Sequence, residues 1–455
     1  MLTIIIVGAG TIGCYVASIL SQEQHNVILI DEDQPRLNAV ALEMDIASRC
    51  GSGTDWQLLD ELLELAPALL IALTQRDETN LVCCSIAKRL GYPRTIARMR
   101  NHYFFNQARL DFAQLFDVDY FVGPELLAAN EILKYMISPG SLLVESFSHG
   151  AVQLRTLEVP DRWPHSHVPL HELGLPSGIL LGLICRKIHH EGEPSREEII
   201  FPHGDATLLP GDEVTLIGKT KVVADIHHFF GITPQMVRSL VLVGGSLIAE
   251  KLAMLLADRP IEVQLIDKDY QRCCQLADLL PHCTILHHDA TDLEFLRSEK
   301  IDETDLVVAS TRHDEVNLLC AMVAKEAGCP NAMVVLSNLT CRPIIDKLSI
   351  DFVVSPQSIA ADQILAQLFA GTINSLVSLY NHQAEIVEVN ISADSPLVGI
   401  PLSGLGPLLP RDLLIGIIQN RGRILIADGS RIISPGDTVI VITAPHHTAK
   451  LSTIF

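Results

Sequence analysis

Short apolar runs alternate with stretches of helical period along the first hundred residues. The runs have the length of buried strands and lie at 2–7, 27–31, 68–73 and 94–99. The stretches with helical period lie between them, at 13–22, 34–47 and 78–90. Such alternation of strands and helices predicts a parallel, doubly wound sheet, which binds its ligand at the carboxyl ends of the strands.

A similar sequence pattern occurs twice along the chain. The segment "LTQRDETNLVCCSIAKRLG" at 73–91 matches "STRHDEVNLLCAMVAKEAG" at 310–328, and "DYFVGPELLAANEIL" at 119–133 matches "DFVVSPQSIAADQIL" at 351–365. An offset of roughly 235 residues, sustained over about 120 residues, indicates two large duplicated units rather than a short-period solenoid. Each unit is followed by a tail of short strands around a Pro-Gly-Asp turn, "LLPGDEVTLIG" in the first and "ISPGDTVIVIT" in the second.

A glycine-rich loop follows the first strand run. It reads Gly8, Ala9, Gly10, Thr11, Ile12 and Gly13. In a dinucleotide-binding loop the first glycine permits the turn, the second lets the backbone approach a pyrophosphate, and the third lets the helix pack on the strand. Asp31 ends the second strand, where a carboxylate accepts hydrogen bonds from ribose hydroxyls and repels a 2′-phosphate. The loop therefore predicts a site for NAD or an adenosine nucleotide.

Further candidate residues follow the third and fourth strand runs. Arg98 and Arg100 lie at the end of the fourth, on one face of the strand, and arginine suits phosphate because it is planar and always charged. Asp77 is first a candidate helix N-cap and second a ligand contact. Thr74 and Asn80, from the same segment, complete the candidate nucleotide set.

The second copy departs from this pattern. Gly244 and Asp267 remain, but Ser246 and Ala249 replace the other two glycines. The positions that match Arg98 and Arg100 hold Val335 and Ser337. A side chain at position 246 obstructs the pyrophosphate path and the countercharge is lost, so we expect the second site to be weak or empty.

These observations predict an α/β chain of four domains. Two Rossmann-like, doubly wound parallel-sheet domains are each followed by a small α+β domain. The expected boundaries are 1–140 for the first nucleotide-binding domain with its linker helix, 144–233 for the first small domain, 237–378 for the second Rossmann-like domain with its linker helix, and 380–455 for the second small domain.

Composition narrows the class of protein. Apolar residues make up 48% of the 455 residues and charged residues 19%, so a large core is available. A mean hydropathy of +0.30 is high for a soluble monomer and indicates surface buried between domains or subunits. No apolar run approaches the length of a spanning helix, and the N-terminus lacks the pattern of a signal peptide. The net charge of −21 argues against nucleic acid as a partner.

The sequence shows no catalytic or metal-binding motif. There is no GxSxG, HExxH, Walker A or CxxC pattern, and no acid/base group is paired with the glycine loop, so no catalytic residue is predicted. The eleven scattered cysteines indicate reduced thiols of a cytoplasm. His165, His167 and His171 cluster in a proline-containing stretch but lack further ligands at metal-site spacing, so no metal is expected. Three classes stay open: a nucleotide sensor, an NAD-dependent oxidoreductase, and a scaffold with vestigial sites.

The motifs resemble those of a known family. "VGAGTIGCYVASIL", "DETNLVCCSIAKRLG" and "TIARMRN", duplicated and each followed by a small PGD-turn domain, resemble the regulators of potassium conductance, the RCK family, over essentially the whole chain. The resemblance implies a non-enzymatic cytoplasmic protein at the inner face of the cell membrane. It also implies a homotetrameric ring beneath a membrane-embedded potassium-translocating subunit, gated by NAD(H), ATP or ADP. Carried over, the nucleotide set is Gly8, Gly10, Gly13, Asp31, Arg98 and Arg100, and the helices after Pro124 and Pro356 are arms that pair the large domains.

Overall fold

The computed structural model describes residues 2–105, 110–138, 140–188, 196–233, 236–337, 345, 348, 350–368, 373–380, 383–406, 409–410, 412–420 and 422–455. The chain forms two compact units, each built from two separate segments. The first unit comprises Met1–Leu133 and Val237–Ile364, and the second comprises Lys134–Met236 and Leu365–Phe455. Each unit therefore combines corresponding parts of the two sequence copies.

The first copy is a six-stranded parallel sheet with helices between the strands. Its strands are β1 Thr3–Val7, β2 Asn26–Asp31, β3 Ala47–Cys50, β4 Leu69–Ala72, β5 Thr95–Arg98 and β6 Tyr120–Val122. Its helices are α1 Thr11–Gln22, α2 Gln34–Glu43, α3 Trp56–Leu63, α4 Asp77–Leu90, α5 Phe112–Leu115 and α6 Pro124–Ile137. The strand order is β3-β2-β1-β4-β5-β6, and it reverses direction between β1 and β4. A ligand crevice is expected at that switch point.

The first tail is a small antiparallel sheet. It contains β7 Leu143–Phe147, β8 Val152–Glu158, β9 Ile179–Ile188, β10 Arg196–Ile200 and β11 Glu213–Lys219, followed by the short helix α7 Thr220–Val223. The strand order is β10-β9-β11-β8-β7.

The second copy repeats the parallel sheet with the same topology. Its strands are β12 Ser239–Val243, β13 Glu262–Asp267, β14 Thr284–His287, β15 Leu306–Ala309, β16 Ala332–Val335 and β17 Phe352–Val354. Its helices are α8 Leu247–Leu256, α9 Tyr270–Leu279, α10 Leu293–Ser298, α11 Asp314–Glu326 and α12 Pro356–Leu368. The order β14-β13-β12-β15-β16-β17 again places the switch point beside the first strand of the copy.

The second tail is also antiparallel. It contains β18 Ile373–Leu379, β19 Ala384–Asn390, β20 Leu413–Asn420, β21 Arg423–Ile426 and β22 Thr438–Thr443, and it ends in helix α13 Pro445–Ile454. Its order is β18-β19-β22-β20-β21. The two tails share one core, in which Phe147 and Leu154 lie with Leu379, Tyr380 and Ile442. Two parallel and two antiparallel sheets confirm the fold class predicted from the sequence.

One predicted element differs from the structure. The stretch 34–47 was expected to be a single helix, but α2 ends at Glu43 and β3 begins at Ala47. β3 is the edge strand of its sheet and is largely exposed, so it lacks the apolar run that marks the buried strands. Among the residues that the structure describes, every helix falls short of the length and apolar character required to cross a bilayer.

Candidate nucleotide site

The glycine loop lies at the switch point of the first parallel sheet. Gly8 directly follows β1, and its φ of +105° is a conformation that residues with a Cβ rarely adopt. A Cβ at Gly8 would lie 3.0 Å from the backbone nitrogen of Thr74, in the loop after β4. The loops that follow β1 and β4 therefore meet at the carboxyl edge of the sheet.

The other two glycines serve different purposes. A Cβ at Gly13 would lie 1.9 Å from the carbonyl oxygen of Gly8, so only glycine lets α1 pack this closely on the loop. A Cβ at Gly10 would meet no atom within 4 Å. The missing side chain at Gly10 is therefore not required by packing within the chain, and it leaves open space in front of α1.

The N-terminus of α1 is free of a side-chain cap. Gly10 occupies the N-cap position and offers no side-chain acceptor to the first-turn N–H groups. Those N–H groups and the positive end of the helix dipole form a ready site for a phosphate group.

Asp31 holds the glycine loop through hydrogen bonds to backbone N–H groups. Its Oδ2 accepts a hydrogen bond from the Ala9 N–H at 2.6 Å, and its Oδ1 accepts one from the Asp33 N–H at 2.9 Å. Each carboxylate oxygen has a second lone pair, so Asp31 retains capacity to accept from a ribose hydroxyl.

Arg98 and Arg100 converge on one carboxylate, that of Glu125 in the first turn of α6. The Arg98 Nη2 lies 2.6 Å from Glu125 Oε1, and the Arg100 Nε lies 3.4 Å from the same oxygen. The Nε atoms of both arginines are buried without a hydrogen-bond partner among the described residues. Two guanidinium groups share one carboxylate, which leaves unpaired donors and an excess positive charge for an anionic ligand.

The side chains of Thr74, Asp77 and Asn80 form hydrogen bonds with backbone groups. Asn80 is fully buried, and its side chain bonds to the N–H and carbonyl of Thr74 and to the carbonyl of Arg98. Asp77 accepts hydrogen bonds from the N–H groups of Arg100 and Asn101, both at 2.9 Å. The expectation that Asp77 is the N-cap of α4 is wrong: the N-cap is Arg76, and Asp77 instead fixes the segment after β5.

The second copy keeps this scaffold. Asn317 bonds to Thr311 and to the Val335 carbonyl, and Asp314 accepts from the Ser337 N–H. The scaffold is therefore present where the two arginines are absent. This contrast indicates that Asp77 and Asn80 hold the backbone in both copies, and leaves the uncapped helix and the arginines as the candidate ligand-binding groups of the first copy.

The N-terminus of the second copy's helix is capped from within. Ser246 is the N-cap of α8, and its Oγ accepts a hydrogen bond from the Ala249 N–H at 3.2 Å. The same Oγ lies 3.1 Å from Ser310 Oγ. An N–H group that would face a phosphate in the first copy is thus already satisfied in the second.

The second copy also has cations that the sequence analysis missed. Arg272 donates from Nε to the Gly245 carbonyl and from Nη2 to Glu250, both at 2.8 Å. Lys251 lies 3.1 Å from the other oxygen of Glu250. Burial alone would raise the pKa of Glu250, but the hydrogen bonds from Arg272 and Lys251 hold that pKa below its usual value. Two cations therefore share one ionised carboxylate here, as Arg98 and Arg100 do in the first copy.

Both glycine loops open on one cleft of about 830 Å³ inside the first unit. Five predicted site residues line it: Thr11, Ile12, Asp77, Arg98 and Arg100. Gly245 and Ser246 line it from the second copy. The lining includes six basic and four acidic side chains, although the whole chain has a net charge of −21. This local reversal of charge favours an anionic ligand.

The cleft contacts of Glu125 and Arg272, which the sequence analysis did not predict, had no local sequence signal. Glu125 follows Pro124 at a helix start, where an acidic residue is ordinary. Arg272 corresponds to Arg36 of the first copy, which is half exposed and lies near Asp31 and Asp33. The structure does not bring the histidines at 165, 167 and 171 together: His165 stacks on Phe229, and His171 Nδ1 bonds to the Gly204 carbonyl.

Comparison with known proteins identifies the domains. The TrkA-N domain model matches residues 4–117 and 240–356, and the TrkA-C domain model matches residues 386–455. A relative from Methanosarcina mazei, named Trk system potassium uptake protein TrkA homolog 1, is 28% identical over 459 residues, which cover 99% of each chain.

Solved structures share the fold. The GsuK RCK domain superposes with a TM-score of 0.63 at 18% identity, covering 99% of this chain and 94% of that one. The GsuK channel bound to NAD gives a TM-score of 0.61 at 18% identity, with 99% and 78% covered. The two TrkA-N matches together span more than half of the residues. The chain therefore belongs to the TrkA-N family, with two TrkA-N domains and a TrkA-C domain at residues 386–455.

Proposed function

We propose that this chain is the nucleotide-binding regulatory subunit of a membrane potassium-uptake system. The observation that carries the proposal is the uncapped N-terminus of α1 at the switch point, in a cleft lined by Arg98 and Arg100. The name of the M. mazei relative, which places that protein in a Trk potassium-uptake system, supports the potassium partner.

The proposed ligands are NAD(H), ATP and ADP. Gly8, Gly10 and Gly13 admit the phosphates, with Ala9, Thr11 and Ile12 completing the loop. Asp31 accepts from the ribose, and Arg98 and Arg100 neutralise phosphate charge. Thr74, Asp77 and Asn80 hold the adjoining loops in place. NAD in the GsuK channel structure, a protein of the same fold, supports this ligand class.

The proposed assembly follows the family resemblance. The chain divides into domains at 1–140, 144–233, 237–378 and 380–455, and it forms a homotetramer. It lies in the cytoplasm, peripheral to the inner face of the membrane, bound to a TrkH-like potassium-translocating subunit.

The mechanism is thermodynamic linkage. A nucleotide that binds two conformations of the assembly with different affinity shifts their populations, and the favoured conformation acts on the membrane subunit. No bond of the nucleotide needs to break for this regulation.

Binding without turnover tests the proposal against an oxidoreductase. We expect calorimetry to detect NADH, ATP or ADP binding to the purified chain. We expect no change in NADH absorbance across a panel of keto acids, or in NAD across hydroxy acids. Steady turnover above buffer would overturn the sensor assignment, and absence of binding by any nucleotide would indicate a scaffold with vestigial sites.

A further inference from the structure

Two adjacent histidines and an aspartate meet in the second tail. Asp412 immediately precedes β20, and His446 and His447 lie in the first turn of α13. One ligand atom from each of the three residues lies within 4.8 Å of the others. The sequence offered no signal for this group, because the first histidine lies 34 positions after the aspartate.

Strand pairing brings these residues together. In the antiparallel pair of β20 and β22, Leu413 lies opposite Thr443. The ladder continues one step, since the Ala444 N–H donates to the Asp412 carbonyl at 3.2 Å. Pro445 then starts α13, so the two histidines are held beside Asp412 by backbone structure rather than by a loop.

The spacing of these atoms is close to that of a metal site. His447 Nε2 is hydrogen-bonded to Asp412 Oδ1 at 2.8 Å, a contact that a bound ion would replace, and His446 Nε2 lies 3.5 Å from Asp412 Oδ2. Ligand atoms of a tetrahedral zinc site, at about 2.0–2.2 Å from the metal, are about 3.4 Å apart. The His446 side chain is 66% exposed and that of Asp412 36%, so the site is open to solvent on one side.

His447 is the most buried member of this group. Its side chain is only 12% exposed, and its Nδ1 is buried without a hydrogen-bond partner among the described residues. Its Nε2 faces Asp412 Oδ1, so Nε2 is the ring nitrogen that this group offers to an ion.

A second histidine pair in the chain provides a contrast. His227 and His228 are also adjacent, with ring centroids 4.1 Å apart, close to the 3.9 Å of His446 and His447. Within the part of the chain that the structure describes, only the pair at 446 and 447 has a carboxylate in ligand position. A histidine doublet alone therefore does not produce this arrangement.

We propose that Asp412, His446 and His447 bind one divalent transition-metal ion of the zinc type, with a fourth position open to water. Imidazole nitrogens favour such metals, whereas Mg²⁺ and Ca²⁺ require oxygen ligands. The ion joins the start of α13 to the start of β20 and stabilises the second tail by mass action.

Titration of the full-length, chelator-treated chain with Zn²⁺ tests the proposal. We expect one ion per chain from this site, a raised Tm, and no comparable effect of Mg²⁺. Substitution of Co²⁺ should give the intense visible absorption of a tetrahedral ion. His446→Ala should weaken the binding at least about 100-fold, since loss of even an outer partner of a metal ligand costs about 10- to 100-fold.

His228→Ala is the matched control, because it removes the exposed member of the doublet at 227 and 228. That variant should bind the ion as the wild type does. His446 is largely exposed, so His446→Ala should keep its fold and its metal-free Tm. Equal zinc affinity and equal Co²⁺ absorption in the wild type and His446→Ala would overturn the proposal, as would absence of zinc binding by the wild type.

Discussion

Two residues of one short motif are glycine for different physical reasons. The Cβ absent from Gly13 would collide with the Gly8 carbonyl at 1.9 Å, whereas the Cβ absent from Gly10 would enter open space. The motif spacing predicted both from the sequence. It could not predict Glu125, which reaches Arg98 from a strand and a helix away and resembles any acidic residue of a first helical turn.

Gly10→Val should abolish nucleotide binding and keep the fold. The side chain at position 10 fills the phosphate path but meets no atom of the chain within 4 Å at Cβ. Gly13→Ala should instead lower the free energy of unfolding, because its Cβ clashes with backbone. Calorimetric titration together with thermal unfolding of both variants separates the two effects, and a large loss of stability in Gly10→Val would contradict the assignment.

Arg98→Ala should weaken nucleotide binding by about 10- to 100-fold, since a charge-assisted hydrogen bond contributes roughly 1.5–3 kcal/mol. Arg89→Ala is the matched control: Arg89 is also paired with a carboxylate, but its side chain is 78% exposed on α4. Titration calorimetry should find Arg89→Ala unchanged. Wild-type affinity in Arg98→Ala would mean that the site lies elsewhere.

At the level of elements, apolar pattern predicted the buried strands and missed the exposed one. β1 and β4 are almost wholly buried and carry continuous apolar runs. β3 has the sequence Ala-Ser-Arg-Cys and is exposed at the sheet edge. It is extended because it pairs with β2, and a local hydrophobic pattern cannot predict that pairing. The sequence showed that Gly10 at the start of α1 is replaced by Ser246 at the start of α8. Only the structure shows that the Ser246 side chain caps α8 by accepting a hydrogen bond from the Ala249 N–H.

The packing of α13 on β19 makes stability depend on pH. Glu385 on β19 is 1% exposed, and Thr448 on α13 donates a hydrogen bond to it. Burial raises the pKa of Glu385 to about 7. The folded state therefore binds this proton more tightly than the unfolded state, so the free energy of unfolding falls as pH rises from about 4.5 to about 7.

Glu385→Gln should remove this contribution. Its advantage in free energy of unfolding over the wild type should be larger at pH 8 than at pH 5, by about 2–3 kcal/mol. Chemical denaturation of both proteins at the two pH values measures the difference, and the subtraction cancels other titrating groups. A pH-independent difference would show that Glu385 does not titrate in this range.

At the scale of the whole molecule, one fold occurs twice and carries two different sites. The sequence repeat predicted the duplication and the topology. It also showed that the second copy lacks equivalents of Gly10, Arg98 and Arg100. It could not predict that both loops share one cleft, or that Arg272 and Lys251 supply cations held by Glu250, because those contacts join separate elements.

One tight nucleotide per chain is the expected stoichiometry. Lost arginine contacts and the Ser246 side chain together cost the second site about 4 kcal/mol, or roughly a thousandfold in affinity. Ser246→Gly with Ala249→Gly should not create a tight site, because Val335 and Ser337 still supply no charge. A binding isotherm with two equivalent sites in the wild type would show that Arg272 and Lys251 leave Glu250 for the ligand.

Potassium flux through the reconstituted complex tests the central claim most directly. The chain, bound to its membrane subunit in vesicles, is compared with the Gly10→Val variant in the presence and absence of NAD(H), ATP and ADP. We predict that at least one nucleotide changes flux with the wild type, and that the variant still binds the membrane subunit but no longer responds. An equal nucleotide response in both proteins, or an unresponsive wild type that demonstrably holds nucleotide, would contradict the account.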